Sequence, residues 1–305
     1  MDILLIDFSG TGHTTLCGDF IAANFIEQGH HVDHFTYKAD KEINVDFEKY
    51  DLVGFGYPIH AFNVPEVFVK YIKSLPKVNN KKYFIYKVSG EPFAFNNASS
   101  YHVVKKLRKK GFELFAEKHF LMPYNIIFRY PDALAKQMAL YLPPLCEAFV
   151  QGIMEGNGER IRYRFSKKVL SFFLRIEWIA PKVNGPLVHM KKKKCTHCKM
   201  CMRECPTGAI VEKKNGKLKI KGSRCAMCMR CTYFCPTDAI SFGIMNPWKV
   251  NGPYAYKKLL EDKEMDPRFV HEGMKGYFKH FLPYFRKQDQ LLKDRGIPNP
   301  MDQAM

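Results

Sequence analysis

From its first residues the chain sets short apolar runs against longer stretches in which apolar side chains recur every three or four positions. Met1 to Phe8 is almost wholly apolar, as a strand covered on both faces would be. Leu16 to Gln28 then keeps helical spacing and stops at Gly29. Val32 to Tyr37 and Leu52 to Tyr57 read as strands, and Pro65 to Leu75 as a helix. Tyr83 to Val88 is a fourth strand, Ser99 to Lys110 a helix ending at Gly111, and Phe112 to Leu121 a fifth strand. Asp132 to Met154 is a long helix, with a perturbation expected at Pro143-Pro144. Strands alternating with helices predict a three-layer α/β fold around a doubly wound, parallel, five-stranded sheet. In such a sheet the ligand lies beyond the C-terminal strand ends, at the topological switch point.

Three loops fall at those ends. Ser9-Gly10-Thr11-Gly12-His13-Thr14 joins the first strand to the first helix. Glycines, hydroxyls and a helix N-terminus make an anion site, because backbone N–H groups and the helix dipole face the same point. The turn has no lysine, which argues against a nucleoside triphosphate, and Thr15 stands where a dinucleotide glycine motif would need its last glycine. Pro58-Ile59-His60-Ala61-Phe62-Asn63 offers flat side chains to a planar ring. No glycine is present there, and Asn63 is the residue expected to tolerate a left-handed backbone. Ser89-Gly90-Glu91-Pro92-Phe93 supplies backbone groups for the edge of such a ring. The three loops together resemble flavodoxin over residues 1 to 155. That resemblance implies bound FMN, held by Ser9 to Thr14, Pro58 to Asn63, Ser89, Gly90, Glu91 and Phe93. His60 reads equally as a hydrogen-bonding group near the flavin or as a plain surface histidine.

The second half is organised by eight of the ten cysteines. Cys195, Cys198, Cys201 and Cys205-Pro206 recur thirty residues later as Cys225, Cys228, Cys231 and Cys235-Pro236, each set followed by Thr-x-Ala-Ile. Three cysteines at three-residue steps can curl round one inorganic cluster, leaving the fourth, fixed by its proline, to reach another. Structural zinc has no use for a third cysteine at that spacing. Disulfides suit small secreted domains, which this chain does not resemble in composition. The stretch from Met190 to Gly243 resembles a bacterial-type ferredoxin with two 4Fe–4S clusters. The resemblance implies that Cys195, Cys198, Cys201 and Cys235 hold one cluster, and Cys225, Cys228, Cys231 and Cys205 the other. It also implies a small α+β ferredoxin-like domain. Cys17 and Cys146 sit among apolar neighbours in helical segments and read as small buried hydrophobes.

The division expected is therefore 1–155 for the FMN domain, 156–189 for a basic amphipathic linker helix and 190–245 for the two-cluster domain. Residues 246–305 would be a C-terminal extension packing on the cluster domain. In the linker, Phe165, Val169, Phe172, Phe173, Ile176 and Ile179 fall near helical spacing, which reads as a helix packing the two domains together, with peripheral membrane contact as the alternative. Two clusters with their thiolates and one flavin phosphate lower the formal charge of +18 to about +12, which still suits acidic redox partners. Lys191 to Lys194 run into the first ligand and read either as a solvated face or as a docking site for such a partner. No nucleic-acid motif accompanies the charge, so nucleic acid is not expected. No apolar run reaches membrane-spanning length, no signal peptide opens the chain, and thiolates kept for iron suit the reducing cytoplasm. As a whole the chain resembles the flavodoxin–ferredoxin fusion proteins of anaerobic bacteria and archaea. That resemblance implies electron transfer between FMN and the two clusters, coupling two-electron and one-electron partners. The alternative is an FMN-dependent reductase of a small organic substrate or quinone, fed by the clusters, with His60 or Glu91 as proton donor.

Overall fold

A computed structural model describes residues 1–41, 43–161 and 178–303. Five parallel strands, β1 (Asp2–Asp7), β2 (His31–Thr36), β3 (Leu52–Pro58), β4 (Lys81–Ser89) and β5 (Phe112–Leu121), lie in the order β2-β1-β3-β4-β5. The order reverses direction between β1 and β3, so the switch point lies where their C-terminal ends part. Ile3, Leu4, Leu5 and Ile6 of β1 are fully buried because both faces of the sheet are covered.

Helices α1 (His13–Glu27) and α4 (Asp132–Met154) share an apolar core on one face, around Phe25, Phe84, Phe120 and Phe149. Helices α2 (Glu66–Ser74) and α3 (Tyr101–Arg108) cover the other, around Phe55, Phe68, Tyr83 and Phe112. On β3 a Cβ at Gly56 would lie 2.2 Å from the Tyr86 ring, so only glycine lets that tyrosine cross the strand. Pro143 and Pro144 do not interrupt α4, which is continuous from Asp132 to Met154. Each proline removes a helical hydrogen bond. Burial of α4 against α1 and the C-terminal extension outweighs that loss. The expected helix Ser99 to Lys110 is shorter, because Ala94–Ser100 coils as a 3₁₀ turn before α3 begins.

The cysteine region is built from two small antiparallel ribbons, β6 (Val188–Met190) with β9 (Ile240–Phe242) and β7 (Ile210–Glu212) with β8 (Leu218–Ile220). The sequence repeat is also a backbone repeat. His197 and Lys199 have positive φ in the first copy, as do Met227 and Met229 at the same offsets in the second. Residues 162–177 of the expected linker helix lie outside the described residues. At its end the Trp178 indole donates to the Val64 carbonyl at 3.2 Å.

The extension departs from expectation. Its first turn stays on the cysteine domain, where Asn251 donates to the carbonyls of Thr232 and Cys235. Beyond Tyr254 it packs on the α/β domain instead. Leu259, Phe281, Phe285, Leu292 and Met301 enter the core that contains α4, and Lys136 of α4 donates to the Met265 carbonyl at 2.8 Å. The reason is surface. Helix α4 presents a long apolar stripe, whereas the small cysteine domain has only a minor core around Val188, Met229, Ile240 and Phe242. Phe285 lies 4.9 Å from Tyr141, centroid to centroid. Phe285→Ala should cost about 3–5 kcal/mol and open the extension to proteolysis while the cysteine domain stays intact. Limited digestion with mass spectrometry of the fragments checks this.

Candidate functional site

The C-terminal ends of β1, β3 and β4 border a cavity of about 910 Å³. Of the residues singled out in the sequence, Ser9, Thr11, His13, Thr14, Pro58, Ile59, His60, Ala61, Phe62, Ser89, Gly90, Glu91 and Phe93 line it. Gly10, Gly12 and Asn63 shape the same loops without lining it. The far wall comes from the cysteine domain, through Cys225, Ala226, Met227 and Met229.

In the first loop Gly12 takes a left-handed φ of 103° and α1 starts with no side-chain cap. Its first N–H groups are therefore left to a ligand or to water. Ser9, Thr11 and Thr14 are all buried beside them. This donor set fits a phosphate. The loop is pinned from outside: Arg230 donates to the Gly10 carbonyl at 2.9 Å and to Glu204 at 2.7 Å. A Cβ on Gly10 would come 2.4 Å from the Cys228 carbonyl, so the absence of a side chain sets how closely the two domains meet. His13 is buried against Tyr256, whose hydroxyl lies 2.8 Å from Nε2, and burial pushes its pKa down to about 4. The loop thus meets an anion with neutral dipoles, not with an imidazolium.

The second loop is a tight turn closed by two backbone hydrogen bonds between His60 and Asn63. The left-handed residues are Ala61 (φ 34°) and Phe62 (φ 66°). A turn of this hand is normally built with Asn-Gly, so two L side chains are held there against preference. Burial lowers the His60 pKa. The third loop is braced internally, since Asn96 donates to the Glu91 carbonyl at 2.7 Å and Ser89 to the same oxygen at 2.9 Å. Glu91 itself is only 2 % exposed, and its Oε1 accepts from Tyr130 at 2.7 Å and Tyr277 at 2.6 Å.

The cysteines sort into two neighbourhoods. Cys195, Cys198 and Cys235 surround Cys201, although Cys235 is forty residues downstream of Cys195, and the small cavity these four line also has Cys231 in its wall. Cys205 lies instead beside Cys225, Cys228 and Cys231. The Ala209 N–H donates to the Cys205 sulfur at 3.2 Å, and the Ala239 N–H to Cys235 at 3.1 Å. Such bonds favour the thiolate and tune a bound cluster.

Residues 194–239 match the sequence model of the 4Fe–4S dicluster domain. This segment is a two-cluster iron–sulfur domain. The chain therefore joins a doubly wound α/β domain of flavodoxin-like strand order to a 4Fe–4S dicluster domain, a redox architecture. An uncharacterised protein of Methanocaldococcus jannaschii is 36 % identical over 83 residues, covering 27 % of this chain and 53 % of that protein. The aligned part is thus about half the length of that relative. Flavodoxin 1 of Bacillus cereus aligns at 16 % identity over 51 % of this chain and 98 % of its own, with a TM-score of 0.38. A flavodoxin from the domain Archaea aligns at 11 % identity over 50 % of this chain and 99 % of its own, with a TM-score of 0.34. An NADPH-quinone reductase of P. pentosaceus aligns at 12 % over 48 % and 98 %, with a TM-score of 0.34. The fold assignment rests on the observed strand order and not on these weak likenesses. Among the described residues, no helix is long and apolar enough to cross a membrane.

Several site residues lay beyond sequence reasoning. Tyr130, Tyr277, His280, Arg230 and Tyr256 come from distant stretches, and only the aromatic density of the extension hinted that it packs against something. The His13 environment carries a testable consequence. In the unfolded chain His13 titrates near 6.5, and in the folded protein near 4. Between these values the unfolded state binds a proton that the folded state excludes, so stability falls as pH drops through that window. His13→Gln should remove about 3 kcal/mol of this acid sensitivity, as measured by denaturant unfolding at pH 7 and pH 4.

Proposed function

We propose that this protein is an electron relay in which FMN occupies the cavity and exchanges electrons with the cluster held by Cys225, Cys228, Cys231 and Cys205. The observation that carries this reading is Cys225 in the wall of the cavity that the three loops line. Ser9 to Thr14 would hold the phosphate, and the second and third loops would hold the ring. Bound FMN would supply a centre that takes electrons in pairs and passes them on singly. Cys195, Cys198, Cys201 and Cys235 would carry the second cluster, further from the cavity. Around it Lys192, Lys193, Lys194, Lys213, Lys214 and Lys217 are exposed, a face suited to an acidic donor or acceptor. Electrons would then pass from partner to outer cluster, inner cluster and flavin, or in reverse. Holding the centres in one chain removes the wait for diffusion between them. The thiolates require a reducing compartment, which we take to be the cytoplasm.

A second reading is favoured by the cavity itself. It is deep, bounded by both domains, and contains a buried carboxylate, Glu91. A reductase of a small organic acceptor or quinone needs a titratable group beside the flavin, and Glu91 supplies one on this wall. Both readings share the same internal relay and differ in where the electron pair leaves.

Protein purified without oxygen should contain about eight iron and eight sulfide per chain and one extractable FMN. With electrons supplied by a reduced acidic ferredoxin, Cys225→Ser should slow flavin reduction at least tenfold while the outer cluster still bleaches at the normal rate. Unchanged flavin kinetics in that variant would remove the inner cluster from the route. Raising ionic strength should slow the first, intermolecular step and leave the internal one unaltered. Turnover of a quinone with the same electron source would select the reductase reading.

A further inference from the structure

Glu91 is held by groups from two separate parts of the chain. Tyr124 and Tyr130 reach it from the segment after β5, and Tyr277 and His280 from the C-terminal extension. These are the titratable groups that face it. Among the described residues, neither lysine nor arginine is bonded to it. The contact of His280 Nε2 with Glu91 Oε2 is a close one. The other ring nitrogen, Nδ1, faces the Tyr277 carbonyl. A carbonyl only accepts, so Nδ1 carries a proton, and the Nε2–Oε2 contact needs one more, on the nitrogen or on the carboxyl. The pair therefore stores a proton that can sit on either side.

Its ends open in opposite directions. Glu91 lines the cavity and is almost fully buried, whereas the His280 side chain is 31 % exposed. The ring is kept in line by Phe93, which stacks on it with centroids 5.4 Å apart and planes 11° from parallel. Electrons reaching the cavity bring no protons with them, and Glu91 puts a buried carboxyl in its wall.

We propose that Glu91 and His280 form a two-station proton relay between solvent and the cavity. It rests on the reading above, that an electron pair arrives in this cavity. A proton leaves the Glu91 carboxyl toward the reduced centre or substrate. His280, then bare at Nε2, takes a proton from solvent, and that proton crosses to Oε2 to refill Glu91. Each cycle moves one proton and no other bond changes; the clusters supply the electrons. Tyr130 and Tyr277 act as positioning residues, fixing the carboxylate by hydrogen bonds to Oε1 alone, which leaves Oε2 for the exchange.

The test uses the full-length holoprotein and the variants Glu91→Gln, His280→Ala and His280→Gln. Flavin content is measured first. Wild type without flavin would overturn the underlying reading, separately from the relay. With flavin present, its reduction by the reduced clusters should slow ~100-fold or more in His280→Ala and recover on addition of imidazole. His280→Gln should be slow and not recover. Redox-difference infrared spectra should show a carboxyl band, shifted in heavy water, that is missing in Glu91→Gln. Cluster bleaching should be unchanged in all variants. Wild-type flavin kinetics in His280→Ala, a deficit that imidazole does not repair, or a carboxyl band that persists in Glu91→Gln would each overturn the relay.

Discussion

Close approach at Gly10 sets the geometry of everything else. With no side chain there, the first loop meets the Cys228 backbone directly, and Arg230 clamps the loop's carbonyl while holding Glu204. This one seam puts an anion-binding turn and a cluster ligand motif into a shared wall. An alanine would force backbone against backbone, because the nearest atom is a carbonyl oxygen and not a flexible side-chain tip. Further hydrogen bonds support the seam, from Ala39 to the Pro206 carbonyl at 2.7 Å and from Ile127 to the Trp248 carbonyl at 2.6 Å. The proposed electron route would run across this seam.

Much of this was written in local patterns. The cysteine spacing is readable because thiolates round one cluster must follow each other closely along the chain, and the domain match over residues 194–239 agrees with it. That the three loops would line one cavity was readable because a parallel sheet brings the loops after its strands to one edge. Helix Asp132–Met154 and strand Phe112–Leu121 ended where their periodicity ended.

What could not be read came from long-range contacts. Tyr277 and His280 meet Glu91 across more than 180 residues, and no local spacing encodes that meeting. The left-handed turn fell on Ala61 and Phe62, which by themselves disfavour it; the pairing of His60 with Asn63 imposes it. The destination of the extension was misread for a similar reason. Aromatic residues announce that a segment packs, but the larger exposed stripe, on α4, decides where.

The docking of the extension on α4 has a practical meaning for anyone dividing this molecule into parts. A fragment cut after residue 155 would keep all five strands of the parallel sheet and all three loops, yet Glu91 would lose two of its four ring-bearing neighbours and His13 its tyrosine. Such a fragment is a different chemical environment rather than a smaller version of the same one. The C-terminal strap makes each portion's chemistry the property of the whole.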